Sequence, residues 1–303
     1  KIDVYDGTGK LTGPNTIAVK LNDGKDATLE GKNIIIATGA RPRPFPGVAF
    51  DDKKIISYVP AILAENAPKS VVIIGGGAIG VEFAYVWANY GVDVTILEMM
   101  PHLLPNEEPE VSDVLEKAYK KLGVKFQTGA KVTGIEKTGD GVRVSVEGGE
   151  PLEAEVCLVA INFMPNTEDI GLEAAGVKLT ERKNVAIDGN MRTNVPHIYA
   201  IGDVATDYRL AHVASAMGIV AAETIADHPT MSIDFRMMPR CTYSQPQVAS
   251  FGYTEAAARE AGHEVKVGKF PFQANGKALG LGESAGFIKI IADARYGEIL
   301  GAH

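Results

Sequence analysis

The stretch from Val71 to Glu98, VVIIGGGAIGVEFAYVWANYGVDVTILE, constrains this chain more than any other. Val71, Val72, Ile73 and Ile74 read as a short buried strand, because β-branched residues pack well on a pleated sheet. Gly75, Gly77 and Gly80 follow in G-x-G-x-x-G spacing, and an apolar helical run continues to about Tyr90. A second strand, Val92 to Leu97, ends on Glu98, 23 residues beyond Gly75. Together these parts predict a cradle for a dinucleotide. The first glycine allows a tight turn, the second lets backbone N–H groups approach a pyrophosphate, and the third lets helix and strand pack closely. The helix N-terminus then faces the phosphates. An acid at the tip of the second strand accepts hydrogen bonds from ribose hydroxyls and repels a 2′-phosphate. The bland reading is a glycine turn that merely packs well; strand, helix, second strand and acid at the required places weigh against it.

Composition narrows the classes. A chain of 303 residues can bury two cores, or three small ones, and 46% hydrophobic with 22% charged residues is ordinary for a globular protein. The net charge of −8, with no basic run, argues against a nucleic-acid partner. The longest nearly uncharged stretch, Leu210 to Ala222, is too short to span a bilayer, so no membrane partner is expected. The first residue is Lys1, which leaves targeting unread. Cys157 lies in the apolar run VCLVAI and reads as a small buried hydrophobe; Cys241 reads as an inert thiol. No Cys-x-x-Cys and no metal-ligand cluster occurs, so no metal is expected and a reduced, intracellular setting fits.

Along the chain, residues 1–40 read as β-rich, with strands at Ile17–Leu21 and Lys32–Ala37. RPRPFPG, residues 41–47, reads as an extended connector, and residues 55–68 hold a short helix. After the opening stretch, the spacing of Val111, Val114, Leu115, Ala118 and Leu122 predicts a helix over 109–122, stopped by Gly123. Strands are expected at 125–128, 132–137, 142–147 and 155–161, with a hairpin turn at 139–141. VAID, 185–188, reads as a strand, as does the segment before Gly202-Asp203, and Leu210–Ala226 as a small-residue helix. Beyond Arg236, a separate α+β unit is expected: strands at 247–251, 264–270, 286–292 and 299–302, and a helix over 254–261.

Five motifs stand in order over the whole chain: ATGARPRPFPG, GGGAIGVEFA, YAIGDVA followed by LAHVASAMG, CTYSQPQVASFGYTE, and FPFQANGKALGLGESAGFIKIIAD. They resemble the flavin-dependent pyridine nucleotide–disulfide oxidoreductases, and within them the branch that oxidises dihydrolipoamide with NAD. The resemblance implies an α/β fold: a Rossmann-type NAD-binding domain (68–184) inserted in an incomplete FAD-binding domain (1–67 and 185–232), followed by a truncated α+β dimerisation domain (233–303). It implies NAD and FAD as cofactors. Gly75, Gly76, Gly77, Ala78, Ile79, Gly80, Val81 and Glu82 match the nicotinamide-dinucleotide positions, with Glu82 toward the nicotinamide, Glu98 on the adenosine ribose and Val132 by the adenine. Gly9, Thr38, Gly39 and Ala40 match flavin-facing positions. Asp203 matches the acid on the ribityl or phosphate part, and Arg209, Leu210, Ala211 and His212 the loop and helix start beside the isoalloxazine.

The resemblance also implies what this stretch of chain does not hold. The family's Cys-x4-Cys and first flavin glycine motif have no match here, nor has its HPHPT-like segment, so no residue is assigned as catalytic. The chain is expected to be an internal, by itself inactive part of a longer enzyme. Its spacing of His102 and Glu107 reads as coincidence. Asn162 replaces a glycine of the family; asparagine tolerates a left-handed turn, yet its side chain is expected to crowd the approach of the nicotinamide. A homodimer, lipoyl-bearing components of 2-oxoacid dehydrogenase or glycine cleavage complexes, and a bacterial cytoplasm or mitochondrial matrix are implied for the longer enzyme. The alternatives are a mercuric-reductase-like or transhydrogenase flavoprotein, and an inactive NAD-binding or interaction module.

Overall fold

The computed structural model describes residues 2–303, which form two compact units: those up to 41 with 163–235, and 42–162 with 236–303. Strands β1 (Gly7–Leu11), β2 (Thr16–Leu21) and β3 (Asp26–Glu30) open the chain as an antiparallel meander. β4 (Ile34–Ile36) and β5 (Ala40–Pro42) follow. The 41–47 segment is therefore not wholly a connector. Its first two residues belong to β5.

The second unit begins with β6 (Ile55–Ile56) and the short helix α1 (Tyr58–Ile62), capped by the Ser57 hydroxyl. Next come β7 (Ser70–Ile74), α2 (Ala78–Asn89), β8 (Asp93–Leu97), α3 (Pro109–Leu122) and β9 (Lys125–Gln127). Proline at the first helical turn starts α3, and Gly123 at φ 89° ends it, with Lys120 and Lys121 in the last turn. A meander of β10 (Val132–Lys137), β11 (Val142–Val146) and β12 (Leu152–Ala154) precedes β13 (Val156–Val159). These strands form a five-stranded sheet, order β6-β13-β7-β8-β9, in which every pair is parallel. A strand covered on both faces must be apolar throughout, and Val71 to Ile74 are all at most 4% exposed. Helices α2 and α3 cover one face, where Ile73, Val81, Ala84, Ile96, Leu115 and Tyr119 share a core.

The chain returns to the first unit with β14 (Phe163–Pro165), β15 (Ile198–Ala200) and α4 (Ala211–Ile225). β14 pairs with β5, and β15 runs parallel to β4. Residues 163–184 lie in this unit, whereas the sequence places them with the NAD-binding domain. Leu11 N–H donates to the Ile170 carbonyl at 2.9 Å, and Gly171 lies so close to the Leu11 backbone that a Cβ there could not fit. VAID is no regular strand: Val185 makes one isolated bridge, to Leu179, and its N–H donates to the Val204 carbonyl.

The last part comprises β16 (Arg240–Thr242), β17 (Val248–Gly252), α5 (Glu255–Glu260), β18 (Val265–Pro271), α6 (Gly276–Leu281), β19 (Phe287–Asp293) and β20 (Ile299–Ala302). Its five strands form an antiparallel sheet in the order β16-β17-β20-β19-β18. Along β19 the pleat alternates: Lys289 and Ile291 are buried, Ile288 and Ile290 exposed.

Candidate functional site

The glycine turn between β7 and α2 has its shape for steric reasons. Gly75 has φ 108°, and a Cβ there would come within 2.8 Å of the Ala160 carbonyl carbon. A Cβ on Gly76 would meet Leu103 Cδ2 at 2.6 Å and the Glu98 side chain at 3.1 Å. A Cβ on Gly80 would run into the Gly75 carbonyl, so only glycine lets the helix sit this near the strand end. Gly77 differs: nothing lies within 4 Å of its Cβ position. It caps α2 without a side-chain hydrogen bond, and the first turn of α2 holds no acid. The N–H groups of that turn have no helical acceptor and carry the positive end of a 12-residue helix. The open face at Gly77, Ala78 and Ile79 fits a pyrophosphate. Val81 does not share in it. Its side chain is fully buried, and its carbonyl accepts the Tyr119 hydroxyl at 2.8 Å.

Glu98 lies at the tip of β8, as expected, but does more than face outward. It is 7% exposed; Gly76 N–H donates to Oε2 at 2.6 Å and Met100 N–H to Oε1 at 2.7 Å. Each carboxylate oxygen keeps a second lone pair that can accept a further hydrogen bond. The same side chain therefore holds the glycine turn and presents a negative charge to whatever lies on it. Ala130 N–H donates to the Glu98 carbonyl, which brings the approach to Val132 alongside. Glu82, one helical turn into α2, is half-buried; burial pushes its pKa up, and the Tyr243 N–H, 2.8 Å from Oε1, partly offsets this. Asn162 is exposed and is not among the residues with left-handed φ, so the turn here does not use the conformation expected of it. Its carbonyl accepts Arg43 N–H at 2.9 Å.

In the other unit, β4 and β15 run parallel, and their C-terminal ends lead to Thr38 and Asp203 respectively. Ligands in α/β folds bind at such ends. Asn166 ties the first exit: Thr38 Oγ1 donates to its carbonyl at 2.8 Å, its side chain donates to the Thr38 carbonyl, and its N–H to the Gly39 carbonyl. Gly39 has φ 71°, a left-handed residue between Thr38 and Ala40. Asp203 sits in a single 3-10 turn that packs on α4, with Ala214 Cβ 3.3 Å from the Cβ position of Gly202. Burial pushes the Asp203 carboxyl up, against the pull of the Arg209 charge. Leu210 caps α4 and Ala211 begins it; the cap has no side-chain hydrogen bond and the first turn no acid. His212 is exposed in that turn. The Arg209 guanidinium donates to Asp207 at 3.1 Å and lies 5.3 Å over the Phe163 ring. Asp207, which the sequence reading passed over, also takes Arg182 and Asn184. Burial favours its protonation, but these partners outweigh burial and lower its pKa. Gly9 lies apart from these strands' sheet, in β1 opposite Val19.

Residues 1–218 match the family described as pyridine nucleotide-disulphide oxidoreductase, and residues 238–303 match its dimerisation domain. The chain belongs to the pyridine nucleotide-disulphide oxidoreductases. FAD and NAD are that family's cofactors. The whole chain is 50% identical, over 310 residues, to a dihydrolipoyl dehydrogenase of Mycobacterium leprae and spans 66% of that protein's length. It is 51% identical, over 313 residues, to one of Corynebacterium glutamicum, again with 100% of this chain and 66% of the relative covered. Among solved structures it is similar to a Cu(II) complex of the HOCl-induced flavoprotein disulfide reductase RclA of Escherichia coli. The TM-score is 0.91 at 27% identity, with 99% of this chain and 68% of that one covered. LpdA of Mycobacterium tuberculosis matches at TM-score 0.89 and 27% identity, covering 99% and 65% of the two chains.

The cysteines fit no redox pair. Cys157 is buried in β13, and burial pushes its thiol up to about 12, while Cys241 is exposed in β16. Among the described residues, no three His, Cys, Asp or Glu side chains group as metal ligands, and no helix is long and apolar enough to cross a membrane. His102 is not paired with Glu107. Its Nδ1 lies 3.0 Å from Ser112 Oγ, and Glu107 accepts instead from Arg240 at 2.8 Å.

Proposed function

We propose that this chain is the NAD-accepting portion of a FAD-dependent dihydrolipoyl dehydrogenase, an enzyme carrying electrons from dihydrolipoamide to NAD. The observation that carries the proposal is Glu98: a buried carboxylate bonded to the glycine turn in a chain half identical to such enzymes. NAD supplies the hydride acceptor when bound; the chain's residues bind and orient it. Backbone N–H groups of Gly77, Ala78 and Ile79 hold the pyrophosphate, Glu98 the adenosine ribose, and Val132 flanks the adenine. Glu82 stands toward the nicotinamide end. A 2′-phosphate would meet Glu98, and the loop from Met99 to Glu108 carries no Arg or Lys to neutralise it.

FAD would lie along Thr38, Gly39 and Ala40, with Asp203 on its ribityl or phosphate part. The start of α4 at Leu210, Ala211 and His212 would stabilise negative charge on the ring through the helix's positive end. Homodimerisation would use the 238–303 sheet, whose Phe270 and Ile288 face each other across β18 and β19 and are 49% and 45% exposed. Lipoyl-bearing components of 2-oxoacid dehydrogenase or glycine cleavage complexes would be the protein partners, in a bacterial cytoplasm. The roughly 50% identity to dihydrolipoyl dehydrogenases, against 27% for RclA, favours this over other disulfide reductases. Calorimetric titration of the 303-residue chain should show NAD binding well over tenfold tighter than NADP; equal affinities would defeat the assignment. For the longer enzyme, the expected activity is NADH-dependent reduction of lipoamide, and its absence would sink the name.

A further inference from the structure

The loop joining β8 to α3 carries a strained residue at the dinucleotide turn. Leu104 has φ 50°, a left-handed conformation that side chains other than glycine rarely adopt. Its N–H donates to the Gly76 carbonyl at 2.8 Å, and Leu103 packs against Gly76. The Gly76 peptide is thus fixed from two sides, by Glu98 at its N–H and by Leu104 at its carbonyl. Strain of this kind persists only where surrounding structure over-determines it.

Local bonds hold part of the loop, with Leu103 N–H donating to Glu116 at 3.1 Å and Glu107 N–H to the Leu104 carbonyl at 2.9 Å; the rest of its restraint comes from residues more than a hundred positions away. Arg240 of β16 donates to Glu107 Oε1 at 2.8 Å and to the Asn106 carbonyl at 3.2 Å. The fully buried His303 side chain lies beside it, with Nδ1 3.6 Å from Glu107 Oε2. Lys289 of β19, 3% exposed at its side chain, reaches Glu108 at 3.1 Å, Glu110 at 3.2 Å and Glu255 at 2.8 Å. Glu108 also accepts the Glu255 N–H at 2.5 Å. Leu104 is therefore followed within four residues by two carboxylates gripped from the C-terminal sheet. Lys289 and Glu108 are both buried, so removing one of them leaves an uncompensated buried charge, which is costly.

We propose that Arg240 and Lys289 are positioning residues for the dinucleotide turn, so that NAD affinity depends on the C-terminal sheet's grip on the 104–108 loop. This rests on the NAD reading above. The test uses the 303-residue chain with Arg240→Met and Lys289→Met, Lys289→Arg as the conservative rescue, and Leu300→Ala as a control. Leu300 belongs to the apolar core of the same sheet, where it packs with Ala258, Ile291, Tyr253 and Val265. Arg240→Met is expected to weaken NAD about tenfold and to speed amide exchange at Gly76 and Leu104 by a similar factor. Lys289→Arg should keep most of the wild-type affinity. Leu300→Ala should lower the melting temperature with affinity and those two amides unchanged.

Equal affinity in wild type and Arg240→Met, or equal loss in Leu300→Ala, overturns the proposal. If Lys289→Met does not fold, Arg240→Met decides alone. A wild-type chain that fails to bind NAD would defeat the functional reading instead, and exchange at Gly76 and Leu104 would still decide whether the grip exists.

Discussion

Two strand ends in this molecule are candidates to receive a cofactor, and they are built differently. At the first, β7 lies between two parallel neighbours, and the acid at the rim, Glu98, is bonded to the backbone it orders. At the second, β4 and β15 are three residues each, Ile35 is 42% exposed, and the acid Asp203 is pushed toward its neutral form by burial. The first acid stabilises its own turn, whereas the second sits at a cost to the fold.

The largest effect that would break this contrast is Gly80→Val. Its Cβ has no room beside the Gly75 carbonyl, so a loss of about 3 kcal/mol or more is expected, together with loss of NAD binding. Thermal denaturation and calorimetry check both. A variant as stable as wild type would mean the turn can yield.

Glu107 gives the next largest effect. Burial alone would raise its pKa, but His303, Ser250 and Arg240 outweigh burial and hold it down to about 2. A carboxyl depressed in the folded state contributes stability above its ordinary value of 4.5, lost as pH falls toward 2. Glu107→Gln should therefore lose about 3 kcal/mol at neutral pH and flatten the acid limb of stability. Denaturant titrations from pH 7 down to about 3 would read this, and parallel curves for the two proteins would contradict it.

Glu98→Gln comes third. The amide turns one N–H donor against either Gly76 or Met100 N–H, and about tenfold weaker NAD binding is expected, with discrimination against NADP reduced. Undiminished preference for NAD would locate the selectivity elsewhere.

The smallest change has the opposite sign. Asp203 has a raised folded pKa, so stability falls as pH rises from its unfolded value through the folded one. Asp203→Asn should raise the unfolding free energy at pH 7 but not at pH 3, by under about 1 kcal/mol once solvent screening is counted, as denaturant titration at the two pH values would read. Destabilisation at pH 7 would show that Asp203, like Glu98, serves its own fold.

Much of this was legible in residues 71–98, because strand, turn and helix there are local and Gly75, Gly76 and Gly80 each have a steric reason. The helix 109–122 was legible too, from its apolar spacing and its glycine stop. Less so was VAID, which reads as a strand but whose backbone makes an isolated bridge to Leu179 and single bonds to Val204 and Lys178. Asn166, the bonds of Asp207 to Arg182 and Asn184, and the pairing of Glu107 with Arg240 and His303 carried no signal, since these partners lie tens to hundreds of residues away in sequence. Asn162 was read through a left-handed turn that the chain does not make.

By itself the sequence determined the type of cradle and the charge at its rim: the spacing of Gly75, Gly77, Gly80 and Glu98 follows from the geometry of one strand–helix–strand unit. Tertiary structure decided how that cradle is held. Glu98 turned inward onto Gly76, Leu104 was driven into a left-handed turn beneath it, and Arg240 and Lys289 came to grip the loop between them. Buried charges find their partners by packing in space, and no local periodicity records that choice.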